Sequence, residues 1–496
     1  MRMSSHLVLE ILMSSYKEIV RTTGMIAIVQ VIQIIFGALR NKIISVVLGA
    51  KGFGIWGLYS TYIEMVSAFS VLGLDQSGVR EIAKNDDHVA VAKCIWIFKR
   101  ALLYFSLSIT LLSIIFSKNV SALLFGTKEY YVGVMVVSFA ILCNGVSKGQ
   151  LAILNGLRDI RGIAISQIIG SIVGSVACIT LAYILGLNGI PIFLVAIGFT
   201  AVLSTWWFVR QTNIKPIRPS NEEAKNIFKK LIYLGLGYSA AGIIASVMTL
   251  LSRTYLAKNY DLTAVGIYQA SWTISNLYIG TILSAMGVDF MPRIMKLINN
   301  SQKLNETVNE QIELGTLVAS IGVLGIITFS PIILHMLYST EFIIGVSIIR
   351  WQVLGVSLRV IAFPFSYLIM AHNKPFTYII IQAIFWTGDY LLLIIFSSKF
   401  GFNGLGINYF AAYIVYLCLT YIACHKITGF KFSYLLKKIF LISSIFISAA
   451  LYSAIYLEKY NYYVGSFLII CAGTWVYVYL KKYMDIDIIK KICSTK

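Results

Sequence analysis

Charged residues and prolines are scarce in this chain. Only 12% of its 496 residues are Asp, Glu, Lys or Arg, against about 25% in ordinary soluble domains, and 7 are proline. A disordered chain needs high charge and low hydrophobicity, so disorder is excluded. A soluble enzyme of ordinary composition is excluded as well, because too few polar side chains are present to face water on all sides.

Cysteine and histidine are few and dispersed. The 7 cysteines include no Cys-x-x-Cys pair, and the 5 histidines stand too far apart in sequence to suggest a zinc site. Gly52-Phe-Gly54-Ile-Trp-Gly57 matches a dinucleotide fingerprint, but it lies between two apolar runs rather than in a strand–turn–helix unit. We therefore expect this motif to serve a turn and close helix packing, and we expect no metal and no cofactor.

Apolar residues are abundant instead. They make up 58% of the chain, and the mean hydropathy is +0.81. A membrane-spanning helix needs roughly 20 mostly apolar residues, and fourteen runs qualify. The sequence thus predicts an all-α integral membrane protein with about fourteen transmembrane helices. The predicted spans are 25–48, 53–74, 101–117, 130–150, 162–185, 189–209, 231–254, 263–287, 312–336, 343–370, 376–397, 402–424, 439–457 and 462–480.

The net charge of +20 is explained by membrane topology rather than by nucleic-acid binding. If both termini are cytoplasmic, the inner segments carry 30 Lys and Arg residues and the outer loops carry 6. Basic residues collect on the cytoplasmic side of membrane proteins. We therefore predict a multi-pass protein with both termini in the cytoplasm and no nucleic-acid partner.

Short motifs recur about 215 residues apart. The loop around Gly186 resembles that around Gly401, and the inner loop near Arg158 falls on that near Asn373. Gly54-Ile-Trp56 likewise resembles Gly266-Ile-Tyr268, and Gly73-Leu-Asp75 resembles Gly287-Val-Asp289. Because the offset covers an even number of spans, it predicts two six-helix lobes in parallel repeat around a central cavity.

This repeat also predicts how the chain is divided. Residues 1–210 would form the N-terminal lobe, beginning with a short interfacial segment, and 211–230 a cytoplasmic linker. Residues 231–424 would form the C-terminal lobe, and 425–496 an extra helix pair followed by a basic cytoplasmic tail.

Seven ionisable residues fall inside the predicted spans. Each costs about 2.5–3.5 kcal/mol near the bilayer centre, so we expect them to face a water-filled cavity or one another. Five are basic, which favours an anionic substrate because arginine binds phosphate bidentately. Two alternatives stay open: long cations can lie at the interface, and the acids can form structural ion pairs. The residues are Arg40, Lys42, Arg253, Arg350, Arg359, Glu64 and Asp389.

Three segments resemble a known family. The stretch from Arg40 to Tyr59, Arg-Asn-Lys-Ile-Ile-Ser-Val-Val-Leu-Gly-Ala-Lys-Gly-Phe-Gly-Ile-Trp-Gly-Leu-Tyr, resembles the first hairpin of Wzx-type polysaccharide-export flippases. Leu72-Gly-Leu-Asp-Gln-Ser-Gly-Val-Arg-Glu81 and Leu154-Asn-Gly-Leu-Arg-Asp159 resemble later segments of the same family. These flippases belong to the MOP superfamily, together with MATE drug antiporters and lipid II flippases.

The resemblance implies a function. It implies movement of an undecaprenyl-diphosphate-linked oligosaccharide, an O-antigen or capsule repeat unit, from the cytoplasmic to the periplasmic leaflet of a bacterial inner membrane by alternating access. It implies that the protein is not an enzyme. It further implies coupling to a proton or sodium gradient and contacts with a polysaccharide polymerase and a chain-length regulator. Arg40, Arg253 and Arg359 would bind substrate, with Lys42 and Arg350 as further candidates, and Glu64 and Asp389 would be the candidates for ion coupling.

Other functions stay open. A lipid II flippase would share the mechanism, and a cation-coupled MATE-type drug antiporter would share the fold. A membrane polymerase or ligase would act on the same lipid-linked substrate. That enzyme class is disfavoured by the outer loops, because the longest, residues 118–129, has only about a dozen residues.

Overall fold

Backbone hydrogen bonding explains why the chain folds almost entirely into helices. Inside hydrocarbon, N–H and C=O groups need partners within their own segment, and an α-helix supplies them. The computed structural model describes residues 5–85, 87–212 and 214–483, and within these ranges it contains fifteen α-helices and no strand. In chain order the helices are α1 Ser5–Val71, α2 Leu74–Lys84, α3 His88–Ile115, α4 Ser117–Phe125, α5 Tyr131–Gly156, α6 Ile160–Leu185, α7 Ile190–Gln211, α8 Asn221–Asn259, α9 Leu262–Leu297, α10 Ser301–Leu337, α11 Val346–Ala371, α12 Pro375–Phe400, α13 Gly404–Thr428, α14 Tyr434–Tyr456 and α15 Asn461–Tyr483.

Helix α1 is bent at Gly49. This residue has φ 67° and ψ −176°, a left-handed conformation that glycine adopts readily because it lacks a Cβ atom. The bend divides α1 into a first segment, residues 5–48, and a second segment, residues 50–71. It coincides with the predicted break between the first two spans.

Ten segments of the described residues are long and apolar enough to cross a membrane. Three of them, Ile28–Val71, Ile160–Gln211 and Pro375–Thr428, have 44, 52 and 54 residues, and each contains two helical segments. Each of the fourteen predicted spans coincides with a helical segment. The chain is therefore a multi-pass all-α membrane protein, and the count of fourteen crossings stays a prediction.

The chain divides into two compact units, residues 1–266 and 267–496. In unit 1, α8 begins at Asn221 with a capping box between Ser220 and Glu223 and packs on α1 and α2. Lys93 donates a 2.7 Å bond to Glu223, which lowers the pKa of that carboxyl. Helix α8 thus starts inside the segment predicted as a linker, and the lobe boundaries stay predictions.

Unit 2 has its own core. Its helices α11 and α13 pack closely, and buried rings from α11 and the 429–433 segment meet there. Phe365 lies 5.1 Å from Phe430 and 6.0 Å from Phe432, measured between ring centres. Aromatic contacts at these distances add to the free energy gained from burying apolar surface.

Two ends of the chain carry predictions that the structure does not test. The side chains of residues 5–24 and all of residues 484–496 lie outside the described residues. The interfacial position of the first segment and the basic cytoplasmic tail therefore remain predictions.

The recurring loops share one backbone conformation in both units. Gly186 (φ 58°, ψ −143°) and Gly401 (φ 56°, ψ −133°) each end a helix and lead into a short 3₁₀ turn. Arg158 and Asn373 both have positive φ values, 58° and 54°. Because non-glycine residues rarely adopt positive φ, the coincidence at the predicted offset supports the repeat.

The match of Gly73 with Gly287 does not extend to conformation. Gly73 has φ 66° and separates α1 from α2, whereas Gly287 continues inside α9. Two helices were also missed in segments predicted as loops. Helix α2 buries Leu74 and Ile82, and α4 buries Leu124 and Phe125, but both helices are too short to be recognised as membrane spans.

The glycines of the first hairpin serve helix packing. A Cβ atom at Gly54 would collide with the carbonyl oxygen of Leu262 and lie 3.0 Å from the nitrogen of Gly266. A Cβ atom at Gly266 would collide with the carbonyl oxygen of Ala50. The packing role predicted for this motif is confirmed, whereas the bend itself lies at Gly49.

We expect Gly54→Ala to destabilise the protein by roughly 1–3 kcal/mol, because the added methyl group overpacks the contact between α1 and α9. The measurement is the thermal unfolding midpoint of the purified chain, together with its abundance in membranes. Gly37→Ala is the matched control, since a Cβ atom there meets nothing within 4 Å. Equal stability of the two variants would contradict the packing role.

Candidate functional site

Arg40 lies on the first segment of α1 and contacts the second segment. Its guanidinium carbon is 5.4 Å from the ring centre of Trp56. On a straight helix, residues 40 and 56 would be about 24 Å apart along the axis, so this contact depends on the bend. The ring of Trp56 in turn packs on Phe193 of α7, with 5.3 Å between ring centres.

The guanidinium of Arg40 takes no part in the ion pairs of the described residues, and its Nε atom is buried there without a hydrogen-bond partner. A cation over the face of an indole ring is attracted by the ring quadrupole, which offsets part of the cost of burial.

Arg253 on α8 converges on the same turn of α1. It is 5% exposed, and its Nη1 donates to the carbonyl oxygen of Gly57 at 3.5 Å. Gly57 follows Trp56 directly, so two of the predicted substrate cations meet neighbouring residues. Both lie in unit 1, where α8 packs on α1 and α2.

Lys42 and Glu64 are the other charged residues of the first two predicted spans. Lys42 is partly exposed, and its backbone carbonyl accepts a 2.8 Å bond from Ser45. Glu64 is exposed and takes no part in the ion pairs of the described residues.

Arg359 in unit 2 lies in a polar and aromatic pocket. Its Nη1 donates to Oδ1 of Asn276 at 2.9 Å, and the same oxygen accepts from the hydroxyl of Tyr409 at 3.5 Å. Tyr413 lies close enough to act on the guanidinium electrostatically. These partners carry no negative charge, so they do not neutralise the guanidinium of Arg359.

Asp389 on α12 is 4% exposed and pairs with an amide. Its Oδ1 accepts from Nδ2 of Asn408 on α13 at 2.7 Å. A structural ion pair with an arginine was one alternative, and among the described residues the bonded partner is neutral Asn408 instead. A buried carboxylate with one amide partner can take up a cation.

Arg350 donates hydrogen bonds to two backbone carbonyl groups. Its Nη1 donates to the carbonyl oxygen of Ala454 at 2.8 Å and its Nε to that of Ile327 at 3.4 Å, which ties α11 to α14 and α10. Glu458 lies close enough to act on it electrostatically. These bonds favour a structural role, and a substrate role for Arg350 stays an untested prediction.

A row of tyrosines was missed by the sequence reasoning. Tyr409, Tyr413 and Tyr416 lie on one face of α13, beside Arg359. The hydroxyl of Tyr416 is 2.8 Å from Oγ of Ser366 and accepts from Gln382 at 3.2 Å. Their spacing of four and three residues marks one helical face and would have identified the row.

Metal binding has no support in the described part of the chain. No group of three or more His, Cys, Asp or Glu side chains lies close enough there to hold a metal ion. Unit 1 thus contributes two cations beside Trp56 and Gly57, and unit 2 separately contributes Arg359 and Asp389 with amide and tyrosine partners.

Known proteins resemble this chain along most of its length. The family model described as "Polysaccharide biosynthesis protein" matches residues 43–347. The lipid III flippase of Escherichia coli (strain K12) is 25% identical over 394 residues, which cover 77% of this chain and 92% of that protein. The lipid III flippase of Shigella flexneri matches to the same extent.

Solved structures show the fold. The lipid II flippase MurJ in its inward closed conformation matches with a TM-score of 0.71 and 14% identity, covering 93% of this chain and 100% of MurJ. An inward-facing multidrug resistance MATE family transporter of the MOP superfamily matches with a TM-score of 0.68 and 17% identity, covering 82% of this chain and 96% of the transporter. These relatives and structures are named as flippases and transporters, and none of them as an enzyme. The resemblance found from the first-hairpin residues is confirmed: the chain belongs to the polysaccharide biosynthesis protein family and has the MOP superfamily fold.

Proposed function

We propose that this protein is a flippase for an undecaprenyl-diphosphate-linked oligosaccharide, an O-antigen or capsule repeat unit. Support comes from the family match and from relatives named as lipid III flippases. The fold shared with a lipid II flippase agrees with transport of a lipid-linked saccharide.

One observation carries the chemical part of the proposal. Arg40 and Arg359 keep their charges inside membrane-spanning helices, and among the described residues neither has a carboxylate partner: Arg40 faces Trp56 and Arg359 bonds to Asn276. Each such charge costs about 2.5–3.5 kcal/mol near the bilayer centre. An anionic ligand recovers that cost, and a diphosphate offers oxygens that arginine binds bidentately.

Direction follows from the charge asymmetry. If both termini are cytoplasmic, the inner segments carry 30 Lys and Arg residues and the outer loops carry 6. With that orientation in a bacterial inner membrane, the substrate enters from the cytoplasmic leaflet and leaves to the periplasmic leaflet by alternating access. A polysaccharide polymerase and a chain-length regulator are the proposed protein partners, because they would act on the delivered units.

Ion coupling is assigned to Asp389. It is the buried member of the two candidate acids, and its partner Asn408 stabilises the carboxyl group without neutralising it. Protonation or sodium binding there would change the charge next to Tyr409 and Tyr413, which also adjoin Arg359. Glu64 is the weaker candidate because it is exposed.

A drug antiporter for organic cations fits the site less well. Arg40 and Arg359 stack on or bond to neutral groups, so their positive charge would repel a cationic drug. A lipid II flippase would use the same cations, and the identity of the accumulated lipid decides between the two substrates.

Arg40→Ala and Arg253→Ala should each reduce export at least about tenfold, because each removes a charged hydrogen-bond donor for the diphosphate. Arg40→Lys should be partly active, since lysine cannot form the bidentate fork. The measurement is mass spectrometry of lipid-linked single repeat units, which should accumulate, together with surface polysaccharide.

Arg210→Ala is the matched control for these variants. Arg210 also lies over a tryptophan, 5.2 Å from the ring centre of Trp206, but at the end of α7. The Arg210→Ala variant should export normally. Full export by Arg40→Ala and Arg253→Ala at equal membrane abundance would remove both residues from the substrate path.

Asp389→Asn should abolish the response of transport to an imposed proton or sodium gradient in proteoliposomes, because asparagine keeps the size and the bond to Asn408 but cannot titrate. Glu64→Gln should leave the response intact. The idea fails if Asp389→Asn transports with unchanged gradient dependence.

Arg350→Ala should destabilise the purified protein by roughly 1.5–3 kcal/mol through loss of hydrogen bonds from a charged group. Export per molecule should stay near the wild-type rate. A normal unfolding midpoint combined with lost export would instead return Arg350 to the substrate path.

A further inference from the structure

A polar pocket of about 960 Å³ lies in unit 2, away from Arg359 and Asp389. Its walls are the first turns of α10, the 431–435 segment and the last turn of α15, with Arg293 from α9 beside them. These ends of α10, α14 and α15 share the side of the membrane that the charge asymmetry assigns to the cytoplasm. With that predicted orientation, the pocket would lie at the depth of the inner-leaflet headgroups.

The pocket contains a buried carboxylate. Glu313 is 7% exposed and accepts hydrogen bonds from the hydroxyl of Ser433 at 2.8 Å and from that of Tyr479 at 3.3 Å. Both donors are neutral, and among the described residues Glu313 forms no ion pair. A buried carboxylate is costly unless a cation accompanies it, so this group favours a ligand that supplies a positive charge.

Cations also line the pocket. Lys431 stands on a segment that α10 holds in place: Asn309 accepts from the nitrogen of Ser433 at 2.8 Å and donates to the carbonyl oxygen of Lys431 at 3.0 Å. Lys481 and Lys482 come from the last turn of α15. Three ammonium groups on two elements favour a phosphate.

The other acids at the pocket, Glu306 and Glu310, are exposed to water, and Glu310 is also 3.8 Å from the guanidinium of Arg293. An exposed carboxylate is screened by water. Glu313 is the buried one of the three, so it is the carboxylate whose charge a ligand would balance.

One lipid headgroup satisfies both requirements. We propose that this pocket binds the phosphoethanolamine headgroup of an inner-leaflet phospholipid, with its ammonium at Glu313 and its phosphate at Lys431, Lys481 and Lys482. A phosphoglycerol headgroup carries no cation for Glu313. A quaternary ammonium has no N–H group to donate to the carboxylate.

The experiment uses the full-length protein in nanodiscs of equal parts phosphatidylethanolamine and phosphatidylglycerol. After gentle delipidation, retained lipid is counted by native mass spectrometry. The wild type should retain phosphatidylethanolamine about tenfold over phosphatidylglycerol, since a charge-assisted hydrogen bond is worth at least that factor. Phosphatidylcholine discs should give no such retention.

Three variants make the result specific. Glu313→Gln and the pair Lys481→Ala/Lys482→Ala should bring the two lipids to parity. The pair Lys437→Ala/Lys438→Ala should keep the preference, because these adjacent exposed lysines at the start of α14 do not line the pocket. The lysine variants change exposed side chains, so they test the site even if Glu313→Gln does not fold.

Three outcomes would overturn the proposal. They are equal retention of both lipids by the wild type, an unchanged preference in the Lys481/Lys482 variant, and stabilisation by soluble phosphoethanolamine with no enrichment of the lipid.

Discussion

The rest of the structure depends on the cost of placing charge in hydrocarbon. In the interior, charged groups have neutral partners: the ring of Trp56 for Arg40, the amide of Asn276 for Arg359 and the amide of Asn408 for Asp389. Neutral partners orient a charge without cancelling it. Charges of both signs are thus retained in the membrane, and under the proposed function a diphosphate or a coupling ion would be the counterion.

Most of the fold could be predicted from the sequence because hydrocarbon imposes one rule on every span. Long apolar runs have to be helical, and the predicted runs coincide with helical segments from the first segment of α1 to α15. The loops at Gly186 and Gly401 were also predicted, since glycine readily adopts positive φ. The turn expected within Gly52–Gly57 lies at Gly49 instead, because the later glycines are used for helix packing. Helices α2 and α4 were not, because nine or eleven residues with a mixed pattern resemble a loop.

The site was less predictable. Composition alone identified the charged residues of the spans, but it could not tell that Arg350 bonds to backbone carbonyls while Arg40 stacks on a tryptophan. That difference arises from the bend in α1 and from the approach of α14 to α10, which single-residue patterns do not encode. The tyrosines of α13 were overlooked for a related reason: on an apolar helix, tyrosine resembles core packing until a cation is found beside it.

The link between α10 and the 431–433 segment has a mechanical consequence. Asn305 and Asn309 bond to the backbone of Lys431 and Ser433, and Glu313 bonds to Tyr479 of α15. These hydrogen bonds therefore join the last helix pair to α10 at three successive turns. Any tilt of α10 should move the pair with it, so a spectroscopic label on α15 would report that tilt.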